Sequence, residues 1–266
     1  MALIVLTSAN GSPGVTTTAL GLALSWPRPV ILIDADPTGS CAIPSGYFRG
    51  EDLGHDPTLV DLSVSHRDGT LSSDLPRMLM TIPTTEVQFL PGLLSHAQAA
   101  SMGPVWAPLC QTLRNLDAAG RDVIVDVGRL GLTGSPVPLI YGADLTLLVT
   151  RCTLPALRAA ATWADTLTES ISYHQGVTTT LGAIAVGAKT LGAGAYSART
   201  VARTLHMPVL ATLPDDPAGA ETLSLGHPST RRWTRYPLSK SLPAAASALR
   251  ATLAQTALDL ATEETP

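Results

Sequence analysis

Ala2-Leu3-Ile4-Val5-Leu6-Thr7-Ser8-Ala9-Asn10-Gly11-Ser12-Pro13-Gly14-Val15-Thr16-Thr17-Thr18 is the stretch from which the fold is read. The apolar run Ala2 to Leu6 predicts a strand buried on both faces. A loop of small residues, Ser8 to Gly14, follows it. The triplet Thr16 to Thr18 then opens an apolar-periodic helix that runs to about Ser25. Strand, small-residue loop and helix N-terminus make the geometry of a phosphate-binding loop. Glycine lets the backbone approach an anion, and the first N–H groups of a helix have no partner within it. The general motif is G-x-x-x-x-G-K-[ST]. Gly14 and Thr16 stand in place, but Ala9 replaces the first glycine and Val15 replaces the lysine. The same residues also suit a tight strand-to-helix turn that holds no ligand.

The chain has 266 residues, of which 45% are hydrophobic and only 4% aromatic, so its core is built from Ala, Leu, Val and Ile. A net charge of −4 argues against a generally basic nucleic-acid binder but leaves room for a local basic patch. Cys41, Cys110 and Cys152 are scattered and odd in number, which argues against a disulfide framework or zinc site and fits a reducing cytoplasm. His55, His66, His96, His174, His206 and His227 show no ligand spacing. The N-terminal apolar run is too short, and lacks the basic flank, for a signal peptide. No run of about 18 apolar residues exists, so no transmembrane helix is expected. Lys189 and Lys240 are the only lysines, and neither is near the loop in sequence.

Further buried strands are expected at Val30–Ile33, Val87–Leu90, Val123–Asp126, Leu145–Val149, Leu181–Val186 and Val209–Leu213. Helices are expected over about Pro104–Ala118, Leu154–Ile171, Ser197–Leu205 and Ala244–Ala261. Residues 38–86 look irregular, with short helical turns near Leu59–Val64 and Asp74–Met80, and residues 218–242 look mostly like loop. The whole chain, 1–266, is expected to form one domain, with 40–86 as an elaborated surface connection. Strands alternating with helices predict an α/β fold: a mainly parallel twisted sheet with helices on both faces. Ligands bind such sheets at the carboxyl ends of the strands. That rule gathers the 8–16 loop, Asp34, Asp36, Asp126, Arg151, Lys189 and Asp215.

Carboxylates at a strand end opposite a phosphate loop can hold Mg²⁺ or orient an attacking water, which is the role open to Asp34 and Asp36. The alternative is an Asp-Pro turn in which Asp36 caps its own backbone. Asp126, at the end of a hydrophobic strand, has the placement of a second Mg²⁺-supporting carboxylate. Its alternative is a plain strand-end cap.

Taken in order, these pieces resemble the ParA/MinD group of deviant P-loop ATPases. Those proteins carry K-G-G-x-G-K-T-T, then a strand ending D-x-D-P-[QT]-G, then a hydrophobic strand ending in Asp. Here the stretches are Asn10 to Thr17, Ile31 to Gly39, and Val123 to Gly128. The resemblance continues through Ala143-Asp144 to the turn Leu213-Pro214-Asp215, which in the family lies beside the adenine. It implies ATP or ADP with Mg²⁺ as cofactors. It places nucleotide contacts at Gly11, Ser12, Pro13, Gly14, Val15, Thr16, Thr17, Pro214 and Asp215. It implies metal support from Thr16, Asp34 and Asp126, and catalytic roles for Asp34 and Asp36.

The departures matter equally. Family members carry a signature lysine where Asn10 stands and the general loop lysine where Val15 stands. A charge-assisted hydrogen bond of about 1.5–3 kcal/mol corresponds to roughly ten- to a hundredfold in affinity. Weak nucleotide binding with slow or no hydrolysis is therefore expected. Arg129, Arg151 and Lys189 lie just past strand ends and are the candidates for a replacement cation, Lys189 first on location. Each is alternatively a solvated rim residue. The resemblance further implies a cytoplasmic homodimer that works with a protein partner, in partition or in localising a pilus or secretion assembly. It also implies non-specific DNA contact through Arg231, Arg232 and Arg235, with Trp233 and Lys240 nearby, for which a solvated loop is the alternative. The Ala-rich C-terminal helix carries one cation, Arg250, and does not suit a membrane anchor. Two other readings stay open: an active DNA-cycling ATPase with a non-standard cation, and a nucleotide-free scaffold.

Overall fold

The computed structural model describes residues 1–10, 13–39, 41–49, 58–116, 120–173, 179–188, 195–226 and 231–263. Its centre is β1 (Leu3–Ser8), buried at every position. The other strands are β2 (Val30–Asp34), β3 (Met80–Thr81), β4 (Gln88–Leu90), β5 (Asp122–Arg129), β6 (Leu145–Arg151), β7 (Thr180–Val186) and β8 (Val209–Leu213). They join one sheet in the order β3-β4-β2-β5-β1-β6-β7-β8. Every pairing is parallel except that of the short edge strand β3 with β4.

Side-chain alternation along each strand divides the core into two layers. Leu3, Val5, Ile31, Ile33, Val123 and Val125 point to one face. There they meet α3 (Asp61–Arg67), α5 (Gly103–Arg114), α7 (Leu154–Tyr173) and α8 (Ala198–Leu205) through Leu62, Leu109, Leu157 and Val201. Ile4, Leu6, Leu32 and Ile124 point to the other face. They meet α1 (Val15–Leu24), α9 (Pro217–Ser224) and α10 (Pro237–Glu263) through Leu20, Leu223 and Leu249. The expected α/β class and covered parallel sheet are the observed ones.

Three expectations need correction. Residues 218–242 are not mostly loop, because α9 fills 217–224 and α10 begins at Pro237. Pro237 stands at the first helical position, where a missing N–H costs nothing. Pro243 lies inside the same helix, whose first turns are held by the buried Leu238 and Leu242. Asp216 organises this corner: its Oδ1 accepts from the Gly219 N–H (3.0 Å) and its Oδ2 from the Leu238 N–H (3.0 Å). One carboxylate thus caps the starts of both helices, an arrangement no local sequence rule would reveal.

The second correction concerns 40–86, which does more than run over the surface. Among its described residues are α2 (Ala42–Tyr47) and α4 (Leu71–Asp74), and it buries Leu59, Leu62, Leu71, Leu75 and Ile82. The third is local: Met80 and Thr81 pair as a strand rather than ending a helical turn. A further helix, α6 (Val137–Gly142), has six residues and is too short to show a period in the sequence.

Leu242 is fully buried against α1, where a Cβ placed on Gly21 would come within 2.7 Å of its methyl group. Leu242→Ala is therefore expected to lower stability by about 2–5 kcal/mol in urea denaturation. A loss under about 0.5 kcal/mol, the surface value, would contradict this packing.

Candidate functional site

β5 and β6 flank β1 on either side, so the carboxyl ends of three adjacent strands frame the segment after Ser8. Ser8 Oγ donates to the Asn10 carbonyl (3.0 Å), bending the start of that segment. Gly14 precedes α1 with φ +91°, a left-handed conformation that disfavours a side chain. The helix has no side-chain cap and no acidic residue in its first turn. Its first internal bond runs from the Thr18 N–H to the Gly14 carbonyl (2.8 Å). The N–H groups of Val15, Thr16 and Thr17 find no partner among the described residues. Such amides carry partial positive charge and bind anions.

Against this helix end lies a cavity of about 660 Å³. Pro13, Gly14, Val15, Thr16, Thr17, Asp36, Pro214 and Asp215 line it, which unites most of the residues singled out from sequence. Gly11, Ser12 and Lys189 lie outside the described residues, as do His55, His174 and His227. Val15 is largely committed to the apolar layer that contains Ile4 and Leu6. The position where the motif places a charge is thus packed into the core.

Beneath the cavity, Asp34 and Asp126 stand side by side on β2 and β5, paired in register. Each is 2% exposed. Asp126 Oδ2 accepts from Thr16 Oγ1 (2.5 Å) and Oδ1 accepts from the Gly128 N–H (2.9 Å). Asp34 Oδ1 accepts from the Asp36 N–H (3.1 Å). Burial, and then the charge of Asp126, push Asp34 up to about 8. Burial pushes Asp126 up to about 6, against the opposing effect of the Thr16 hydrogen bond. Two buried carboxylates destabilise each other's ionised form and favour a cation between or above them. Oxygen donors of this kind fit Mg²⁺, which takes one or two carboxylates plus phosphate and water. No group of three His, Cys, Asp or Glu side chains capable of holding a metal occurs among the described residues. A Mg²⁺ ion here would share its shell with a ligand.

Asp36 is placed differently from Asp34. It is half-buried, lines the cavity, and accepts from the Thr38 N–H at Oδ1 (2.8 Å). Gly128 makes room for it, because a Cβ there would overlap the Asp36 carboxylate and its φ is +61°. The geometry separates the two acids: Asp34 is buried on β2, and Asp36 faces the cavity.

At the far wall, Arg151 Nη1 reaches both carboxylate oxygens of Asp215 at 3.2 and 3.1 Å. Arg231, Arg232 and Arg235 are exposed, but Trp233 packs partly against the core and tilts against Tyr236 at 6.4 Å. Trp233 also lines a second cavity with Pro27 to Val30, at the start of β2. Trp233 thus reaches the start of β2, while Leu238, three residues past Arg235, lines the first cavity. Among the described residues no helix is long and apolar enough to cross a membrane.

No family model and no curated protein matches the chain. Solved structures do. The cell division ATPase MinD of Pyrococcus furiosus shares 20% identity over 95% of this chain and 100% of its own, with a TM-score of 0.73. The McdA–ATP complex of Cyanothece shares 20% over 94% and 96%, with a TM-score of 0.72. The septum site-determining protein MinD of Pyrococcus horikoshii, complexed with Mg-ADP, shares 21% over 92% and 95%, with a TM-score of 0.69. At such identities the likeness establishes the fold, that of the ParA/MinD-like P-loop ATPases.

The buried acids give a pH signature. A carboxyl whose folded pKa is raised keeps a proton that the unfolded chain releases near pH 4. The contribution of these two carboxyls to the stability of the metal-free protein is thus greatest below that pH. It is lost as pH rises through about 6 for Asp126 and about 8 for Asp34. Thermal melts in chelator should fall between pH 6 and 8, and Asp34→Asn should flatten that fall. A wild-type profile flat over this interval would contradict the burial of an unpaired acid.

Proposed function

We propose that this chain is a ParA/MinD-like positioning protein that binds Mg-nucleotide weakly and hydrolyses it slowly or not at all. The observation that carries the reading is the uncapped N-terminus of α1, set over the Thr16–Asp126 hydrogen bond at a cavity of about 660 Å³. Backbone amides of Val15, Thr16 and Thr17 would take the phosphates. Thr16, Asp126 and Asp34 would hold Mg²⁺, which when bound neutralises charge on the phosphate oxygens. Asp36 is the acid positioned to orient a water on the cavity wall. Asp215 and Pro214 border the end where a base would lie.

Weak turnover follows from what the loop lacks. Catalysis of phosphoryl transfer is nearly all positioning and charge stabilisation. Neither Asn10 nor Val15 supplies a positive charge. Binding survives such a loss better than rate does, because amides and Mg²⁺ contact the ground state as well. A homodimer belongs to the same reading, and so does a protein partner in partition or in localising a secretion or pilus assembly. Gating of the dimer by nucleotide does not, because Asn10 stands where the family carries the lysine that reaches across the dimer. MinD of Aquifex aeolicus, a structure of the same fold, is seen in complex with MinC.

The test pairs two measurements. Mg-ATP and Mg-ADP at a hundredfold excess over the dissociation constant should stabilise by about 2.7 kcal/mol, a rise on the order of 5 °C in melting temperature. Steady-state phosphate release should stay below about 0.1 per minute per chain, several orders under a typical enzyme. No thermal shift would instead identify a nucleotide-free scaffold. Rapid turnover would identify an active ATPase.

A further inference from the structure

Two basic side chains line the cavity, Arg129 and Arg151, and the strand order explains their placement. β5 and β6 are the two neighbours of β1, and each ends in an arginine. Arg129 and Arg151 therefore flank the phosphate-loop segment from opposite sides, at the level where β1 gives way to it. Arg129 is the nearer in register. Its Cα pairs with that of Ser8, and the Leu130 N–H donates to the Ser8 carbonyl (2.8 Å). Thr7 Oγ1 donates to the Gly128 carbonyl (3.1 Å), so β1 holds the backbone both before and after Arg129.

The charge ledger of the cavity singles out the same residue. Its acids are Asp36, Asp215 and Asp216. Asp215 is engaged by Arg151, Asp216 by the two helix N-termini it caps, and Asp36 by the Thr38 N–H. Arg129 is exposed, and its side chain makes no ion pair or hydrogen bond among the described residues. A guanidinium is permanently charged and matches phosphate oxygens with two parallel N–H groups.

We propose that Arg129 supplies, from the strand beside the loop, the positive charge that the loop has lost at positions 10 and 15, and that it contacts the polyphosphate of a bound nucleotide. The proposal rests on the nucleotide reading of the cavity. Charge delivered from β5 approaches the phosphates from beside the helix axis. A lysine at position 15 would instead approach from within the loop. Arg151, held by Asp215, stays at the opposite wall.

The test is isothermal titration of the full chain with Mg-ADP and Mg-ATP, for wild type, Arg129→Gln and Arg129→Lys. Exposure of Arg129 means that all three should melt alike without ligand, which checks folding. Arg129→Gln is expected to weaken both nucleotides by about ten- to a hundredfold, the size of one charge-assisted contact. Arg129→Lys should recover part of that loss, since it restores the charge but not the bidentate geometry. Wild-type binding with an unchanged Arg129→Gln constant overturns the role of Arg129 and leaves the nucleotide reading intact. A wild-type chain that binds neither nucleotide overturns both.

Discussion

A hydroxyl on the first turn of α1 donates to a carboxylate within β5: Thr16 Oγ1 to Asp126 Oδ2, 2.5 Å. This contact fixes where the helix begins relative to the sheet. It requires β1 and β5 to be neighbours, Gly14 to turn the chain with positive φ, and Asp126 to be buried. All three hold. Once α1 is set this way its free amides point into the space that Asp36, Arg129 and Arg151 border. Without it, the apolar layer beneath α1 would still form, but nothing would aim the helix end at a ligand.

Electrostatics at the site are inverted from the usual arrangement of a phosphate loop. Carboxyl groups are concentrated below, in Asp34 and Asp126, where desolvation makes ionisation costly. Positive charge is absent from the loop and stands instead on the flanking strands. A divalent cation would relieve the first feature, and an arginine from β5 would answer part of the second. In the function proposed above, holding power would come from dipoles and a metal more than from fixed cations.

Much of this was readable from residue order. The strands announce themselves as apolar runs because a parallel sheet is buried on both faces. Asp34, Asp36 and Asp126 stand at strand ends in the sequence itself. What sequence could not supply is register. That Asp34 and Asp126 are direct neighbours, and that Arg129 lies beside Ser8, depend on which strands pair, a contact between residues about a hundred positions apart. The different burial of Asp34 and Asp36, two residues apart, likewise comes from tertiary cover. The start of α10 is not legible either: the stretch before Ala244 looks like loop, while packing of Leu238 and Leu242 keeps the helix continuous through Pro243. The double cap by Asp216 had no signal at all, since its second partner is 22 residues away.

The central claim is that the free amides at the start of α1 remain an anion cradle although the loop carries no lysine. Backbone amide NMR during titration with Mg-ADP addresses it directly. The account predicts that the Val15, Thr16 and Thr17 amides show the largest chemical-shift changes, saturating together with binding. Saturable binding that leaves these three amides unmoved would contradict it.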